Sequence, residues 1–137
     1  ELIYDEVDRI KWAKSTLDWR LHLDEATILG DAEQWEKLVE NLLENSLRYA
    51  TQTISISITK SNQHIVLRLW NDGPSIDEAI MDKIFEPFQK GHKGEFGIGL
   101  SIVKRIADLH ASKVWAKNEE NGVAFYTEIP LAEVNAK

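Results

Sequence analysis

The chain has 137 residues, a length that suits one domain with an ordinary core, because 43% of the residues are hydrophobic and 28% are charged. Its formal net charge of −7 argues against nucleic acid as a partner. It contains no cysteine and no apolar run long enough to cross a membrane. Because the chain begins at Glu1 rather than Met, we expect it to be a piece of a longer protein.

Strand and helix signals alternate along the first half of the chain. Residues 2–17 show a faint helical spacing, and the segments 19–23 and 28–29 predict two short strands. Asp31 is a good N-cap for a long helix that we expect over about residues 32–50. Two further strands are predicted directly after the long helix. Apolar and polar residues alternate at 54–59, and residues 65–70 form an apolar run.

The second half of the chain begins with residues that interrupt helices and strands, and it ends with a predicted hairpin. Residues 71–75 predict a loop, residues 77–85 a short helix and the glycine-rich segment 89–97 a mobile loop. A second long helix should begin near Gly99, and the final hairpin should turn at Asn121-Gly122, between strands at 114–117 and 123–129. The sum is a single α/β domain over residues 1–137, a two-layer sandwich with a mixed, mostly antiparallel sheet of about five strands packed on three helices.

The first long helix carries polar side chains next to its apolar stripe. At about 100° per residue, Asn41, Asn45 and Arg48 share one narrow sector, and Tyr49 lies on the apolar side of the boundary. Amide oxygens suit Mg²⁺, a guanidinium suits phosphate oxygens, and an aromatic ring can contact a base. The helix alone leaves open that these are merely solvated residues beside the core.

Two other segments offer groups for a nucleotide. Side-chain oxygens of Asn71 or Asp72 can accept a hydrogen bond from an adenine amino group, and Gly73 allows close backbone approach, although the same residues also make an ordinary turn. The glycines of residues 94–99 precede a helix start, whose free N–H groups and dipole attract anions. This spacing matches neither the Walker loop nor the dinucleotide fingerprint, and a plain flexible loop is the alternative.

In this order and at these distances, the segments resemble the ATP-binding domain of the histidine kinase, gyrase and chaperone superfamily, and within it the sensor histidine kinases. Residues 35–49 look like the N box and residues 71–76 like the first glycine box. Residues 84–88 look like the F box, and residues 97–106 are similar to the second glycine box. The resemblance covers about residues 31–110, most of the chain.

The resemblance implies binding of ATP with Mg²⁺. It implies that Asn45 coordinates the metal with help from Asn41, that Arg48 meets phosphate, that Tyr49 stacks on adenine, and that residues 88–96 form a flexible ATP lid. Asn45 and Arg48 are the implied catalytic residues. The implied nucleotide-binding set is Asn41, Asn45, Arg48, Tyr49, Asn71, Asp72, Gly73, Ile76, Phe88, Lys90, Gly91, Gly94, Gly97, Ile98, Gly99 and Leu100.

The sequence departs from the family pattern at several positions. Asn71 stands where the family usually has Asp, and a neutral hydrogen bond contributes about 1 kcal/mol against about 1.5–3 for a charged one. We therefore expect adenine recognition to survive but to be weakened roughly tenfold. Ser75 and Glu95 stand where glycines are usual, which leaves close backbone approach there less certain, and residues 109–112 depart from the family's Leu-His-Gly-Gly.

The chain looks like the phosphoryl-donor half of a protein histidine kinase from a two-component system. None of its histidines (His22, His64, His92 and His110) has the sequence context of the family's acceptor. The implied partners are the histidine-containing dimerisation domain of the same kinase, which residues 1–17 would join to this domain, and a cognate response regulator. We expect this piece to be monomeric and to be a cytoplasmic domain of a membrane-anchored parent.

Three other functions were weighed. An ATP hydrolase of the superfamily is disfavoured, because Asn41 stands where those enzymes place a glutamate general base. A serine protein kinase of the anti-sigma type also lacks the histidine hairpin, and it remains open. So does a nucleotide-binding module without transfer activity.

Overall fold

A computed structural model of the chain describes residues 3, 5, 17–23, 32–86 and 99–131. These residues form five strands, two α-helices and one short 3-10 helix. In chain order they are β1 (Asp18–Leu23), α1 (Ala32–Tyr49), β2 (Thr53–Lys60), β3 (His64–Asp72), the 3-10 helix (Glu78–Lys83), α2 (Gly99–Leu109), β4 (Lys113–Glu119) and β5 (Gly122–Pro130). Within this described part, neither helix has the length and apolarity needed to cross a membrane.

The strands make one sheet in the order β1-β2-β3-β5-β4. Strands β1 and β2 are parallel and are joined through α1, whereas the other three neighbouring pairs are antiparallel. A parallel pair needs such a crossover, because a tight turn can only reverse the chain. The predicted mixed, mostly antiparallel sheet in an α/β sandwich is confirmed.

The core lies between the helices and one face of the sheet. Along β3 every second residue is buried, so Ile65, Leu67 and Leu69 point inward and Asn71 continues the same series. The helices contribute the apolar stripes expected from their sequence. On α1 the buried apolar residues are Trp35, Leu38, Val39, Leu42, Leu43 and Tyr49, and on α2 they are Leu100, Val103, Ile106 and Ala107.

Two predicted boundaries were wrong, and the predicted short helix is present. The loop expected at residues 71–75 starts two residues later, because Asn71 and Asp72 stay paired with β5. The hairpin turns at Glu120-Asn121, both with positive φ, so Gly122 is the first residue of β5 and not part of the turn. The short helix after Asp77 is a 3-10 helix whose N-cap is the Asp77 side chain.

Several predictions fall outside the described residues. They are most of the faint helix at 2–17, the strand at 28–29, the Asp31 cap and the glycine-rich segment at 89–97. The three expected helices correspond here to α1, the 3-10 helix and α2.

Candidate nucleotide-binding site

A pocket opens where the C-terminal half of α1 meets the ends of the central strands. Its surface is mostly apolar with a few polar groups, as is usual for sites that hold a small organic ring. It is lined by Asn45, Tyr49, Asn71, Pro74, Ser75, Ile76, Val123 and Phe125. Side chains from the first predicted helix and from the first glycine box therefore share one hollow.

Asn71 supplies this pocket with a hydrogen-bond acceptor in a fixed orientation. The residue is 1% exposed, and its Nδ2 donates to the backbone carbonyl of Asp72 at 2.8 Å. That bond fixes the amide, because a flipped amide would turn Oδ1 toward another oxygen. Oδ1 is buried and has no hydrogen-bond partner among the residues that the structure describes. A buried acceptor without a partner costs free energy, so its place at a pocket indicates a ligand that donates to it.

Asp72, the neighbouring residue, points away from the pocket. Its carboxylate accepts hydrogen bonds from the backbone N–H groups of Thr51, Gln52 and Thr53 and from the Thr51 hydroxyl, at 2.9–3.1 Å. Burial raises the pKa of this carboxyl, but the hydrogen bonds outweigh it, and the pKa lies below the ordinary 3.8. The alternation of β3 explains why Asn71 and Asp72 face opposite ways. Asp72 therefore anchors the connection from α1 to β2.

Gly73 is required by the protein's own backbone. Its φ is +126°, and a Cβ built on it would lie 2.4 Å from the carbonyl oxygen of Tyr49. Any other residue would both strain the backbone and collide with the end of α1. The end of α1 lies in the space beside Gly73, and the role of Gly73 in admitting a ligand stays a prediction.

Gly99, at the start of α2, lies against Asn41 of α1. One turn before Asn45, Asn41 donates from Nδ2 to the Lys37 carbonyl at 2.8 Å. A Cβ built on Gly99, the first residue of α2, would lie only 3.1 Å from Asn41 Oδ1. The absent side chain thus lets the Asn41 amide approach a helix N-terminus, where N–H groups and the helix dipole favour an anion.

The other predicted site residues are distributed as follows. Ile76 lines the pocket and is buried, Arg48 is exposed at the end of α1, and Leu100 is buried in the core. Outside the described residues lie Phe88, Lys90, Gly91, Gly94, Gly97 and Ile98.

Sequence reasoning missed four pocket residues on the loop and on β5. Pro74 and Ser75 were quoted within a motif but were not assigned to the site. Val123 and Phe125 come from the last strand, where they pair with Asn71 and Leu69. Only the strand register could have identified these two, and a single sequence does not reveal which strands are neighbours.

Among the described residues, an amide oxygen of Asn41 lies beside Gly99. Among the residues that the structure describes, no group of three or more His, Asp or Glu side chains comes together as a metal site. Mg²⁺ needs few protein ligands when phosphate oxygens and water complete its shell. The amides of Asn41, which lies against Gly99, and of Asn45, which lines the pocket, are compatible with such a metal.

The two-layer sandwich thus carries a mostly apolar pocket that contains the amides of Asn45 and Asn71. The family model described as histidine kinase-, DNA gyrase B- and HSP90-like ATPase matches residues 30–133. The chain belongs to this family.

Similar proteins indicate which kind of ATP-binding domain this chain is. The chain is 44% identical over 131 residues to the sensor histidine kinase CssS of Bacillus subtilis, and the match covers 95% of the chain and 29% of that relative. The chain therefore spans less than a third of this relative's length. The solved catalytic domain of histidine kinase ThkA is 32% identical with a TM-score of 0.86, over 95% of this chain and 92% of that one.

A second ThkA structure contains a partner. It is histidine kinase ThkA in complex with the response regulator protein TrrA, at 28% identity and a TM-score of 0.82, covering 98% of this chain and 40% of that one. Together these comparisons identify the chain as the catalytic, ATP-binding module of a histidine kinase.

Proposed function

We propose that this chain binds ATP with Mg²⁺, holds the adenine against Asn71, and donates the γ-phosphoryl group to a histidine on a separate helical domain of the same sensor kinase. The observation that carries the proposal is the buried, unpartnered Oδ1 of Asn71 in the pocket. An adenine presents an exocyclic amino group, which can donate to this atom. The surrounding apolar side chains can then exclude water from the ring.

The phosphates extend from the pocket toward the start of α2. Asn45 lines the pocket, and the amide of Asn41, one turn earlier, lies against Gly99. A triphosphate there would meet the N–H groups of α2, and the exposed Arg48 at the end of α1 carries a guanidinium that suits phosphate oxygens. Bound Mg²⁺ would offset phosphate charge, with Asn45 and Asn41 as the residues suited to hold it.

The chain supplies the donor and not the acceptor. In transfer, the bond from the γ-phosphorus to the oxygen of the leaving ADP breaks as a phosphorus–nitrogen bond to an imidazole forms. Of the described histidines, His22 and His64 lie on strands, and His110 packs on Trp35 with Nδ1 at 2.8 Å from the Ile106 carbonyl. The names of the relatives support a histidine acceptor over a serine acceptor.

The remaining expectations stay part of this proposal. The acceptor belongs to a dimerisation domain of the same kinase, a cognate response regulator takes the phosphoryl group from it, and the parent is membrane-anchored with this domain in the cytoplasm. The complex of the related ThkA with a response regulator supports the second point. Hydrolysis is disfavoured, because the Asn41 amide cannot accept a proton as a general base.

A base-selectivity titration tests the proposal. Adenosine and inosine triphosphates differ at the position that would face Asn71, where inosine carries an oxo group that cannot donate. We expect the adenine nucleotide to bind at least about tenfold more tightly, because the inosine oxygen would face an acceptor. Equal affinity for the two nucleotides would contradict the assignment of Asn71 to the base.

A further inference from the structure

Asn118, near the end of β4, holds the loop that forms one side of the pocket. Its Oδ1 accepts from the backbone N–H of Ile76 at 2.8 Å, and its Nδ2 donates to the backbone carbonyl of the same residue at 2.9 Å. Nδ2 also donates to the Glu78 carboxylate at 3.0 Å. One side chain thus satisfies both backbone groups of Ile76, a residue that is itself buried in the pocket wall.

This loop has few other attachments. Within the described part of the chain, its remaining backbone bond to another element runs from Gly73 N–H to the carbonyl of Asn121, at 3.2 Å. Both attachments therefore come from the β4–β5 hairpin. Without the Asn118 side chain, the polar backbone of Ile76 would be buried without partners, and the loop would have to move to reach water.

The strand end that carries Asn118 is itself fixed from the other face of the sheet. The neighbouring Glu119 accepts from Arg68 at 2.8 Å and from the Tyr126 hydroxyl, and its backbone carbonyl accepts from Trp70 Nε1 at 2.8 Å. Asn118 also sits opposite Val123, which pairs in turn with Asn71. Asn118, which fixes Ile76, and Asn71, which lines the pocket, are thus both paired with Val123.

We propose that Asn118 is a positioning residue for the nucleotide pocket. Asn118 holds Ile76, in the wall of the pocket, at the distance that the base requires. This inference rests on the nucleotide-binding function proposed above. The Asn118 amide accepts from the N–H and donates to the carbonyl of one residue at once, whereas a carboxylate of the same size can accept but cannot donate. If Ile76 is in this position for only a fraction of the time, the apparent affinity equals the intrinsic affinity multiplied by that fraction.

Three variants separate this role from simple destabilisation. Asn118→Ala removes both bonds, and Asn118→Asp keeps the size but loses the donor and faces the Glu78 carboxylate. Glu119→Ala is the matched control, because it destabilises the same strand from the opposite face and leaves the bonds of Asn118 intact. Each is titrated with ADP and with a non-hydrolysable ATP analogue in the presence of Mg²⁺, and amide exchange of Ile76 is measured without nucleotide.

We expect both Asn118 variants to weaken ADP and the ATP analogue by the same factor, about five- to thirtyfold, since the affected contact is with the base. Exchange at Ile76 should accelerate, and with an acceptor domain added in trans KM for ATP should rise while kcat holds. Glu119→Ala should bind within about twofold of wild type. Should Asn118→Ala not fold, Asn118→Asp provides the same comparison.

The outcomes distinguish the two proposals. Wild-type protein that binds no nucleotide overturns the proposed function and the role of Asn118 with it. Wild-type binding that both Asn118 variants leave within about twofold, or that Glu119→Ala weakens equally, overturns only the positioning role.

Discussion

Asn41 and Gly99 face each other so closely that a Cβ on the glycine would lie 3.1 Å from the asparagine Oδ1. Asn41 belongs to the first long helix and Gly99 opens the last one, so two segments far apart in the sequence meet at one point. Asn45, one turn further along the first helix, connects this point to the pocket that contains Asn71. The relationship is what a bound triphosphate requires, with its base in the pocket and its phosphates at the helix start.

Gly99→Ala should separate stability from nucleotide binding. Alanine is the better helix former, and no positive φ opposes it, so the free energy of unfolding should hold or rise by up to about 1 kcal/mol. The new methyl group would displace Asn41 Oδ1 and occupy the phosphate space, so affinity for the ATP analogue should fall about tenfold. Urea unfolding and calorimetry measure the two effects, and Lys104→Ala on the exposed face of α2 serves as the control. Unchanged affinity would remove Gly99 from the site.

Gly73→Ala should have the opposite effect on stability. The φ of +126° and the 2.4 Å approach of the Tyr49 carbonyl both exclude a Cβ, so unfolding should become easier by about 2–3 kcal/mol or more. Thermal or urea unfolding of the variant beside Gly99→Ala gives a matched comparison of one substitution at two sites. A variant as stable as wild type would show that α1 does not end against this loop.

Asn71→Asp should strengthen adenine binding and weaken the fold. A carboxylate accepts from the adenine amino group more strongly, so affinity should rise roughly tenfold. The same change replaces the Nδ2 that donates to the Asp72 carbonyl with an oxygen, which should cost about 1–3 kcal/mol of stability. Purine riboside triphosphate, which lacks the amino group, is the control ligand and should bind both proteins alike. Unchanged affinity for ATP would show that Asn71 does not serve adenine.

The stabilising contribution of Asp72 should disappear in acid. Its pKa in the folded state lies below the unfolded value of 3.8, so the contribution is complete above 3.8 and is lost as pH falls through the folded-state pKa. At neutral pH, Asp72→Asn should reduce the free energy of unfolding by about 1–2 kcal/mol, because it weakens the bonds to residues 51–53. Urea unfolding of both proteins over a pH series should show the difference shrinking only at the acid end. A constant difference at every pH would mean that the charge is not involved.

The sequence allowed much of the fold to be predicted, because periodicity and breakers are local. The long helix expected from the Asp31 cap ends at Tyr49, one residue from the prediction, and the strand order is compatible with the predicted mixed sheet. The end of β3 was missed, because Asn and Asp are poor strand formers in isolation. Pairing of Asn71 with both Ile54 and Val123 overrides that preference.

The candidate site was predictable only where a motif marks it. A helix or motif that the sequence displays contains Asn41, Asn45, Tyr49 and Asn71. Strand register brings Val123 and Phe125 to the pocket and places Asn118 opposite Val123. The separate roles of Asn71 and Asp72 also depend on register, because only a continued strand sends adjacent side chains to opposite faces. The sequence of one segment alone does not reveal non-local strand pairing of this kind.

The central claim is that amide oxygens of α1 and the start of α2 hold one metal-bound triphosphate. Calorimetric titration of a non-hydrolysable ATP analogue, with and without Mg²⁺, into wild type and Asn45→Ala tests it most directly. We predict that Mg²⁺ strengthens binding of the analogue to wild type. In Asn45→Ala the ratio of the affinities with and without Mg²⁺ should be at least about tenfold smaller, while the affinity without the metal changes little. Binding to wild type that ignores Mg²⁺, or a gain from Mg²⁺ that Asn45→Ala retains in full, would contradict the claim.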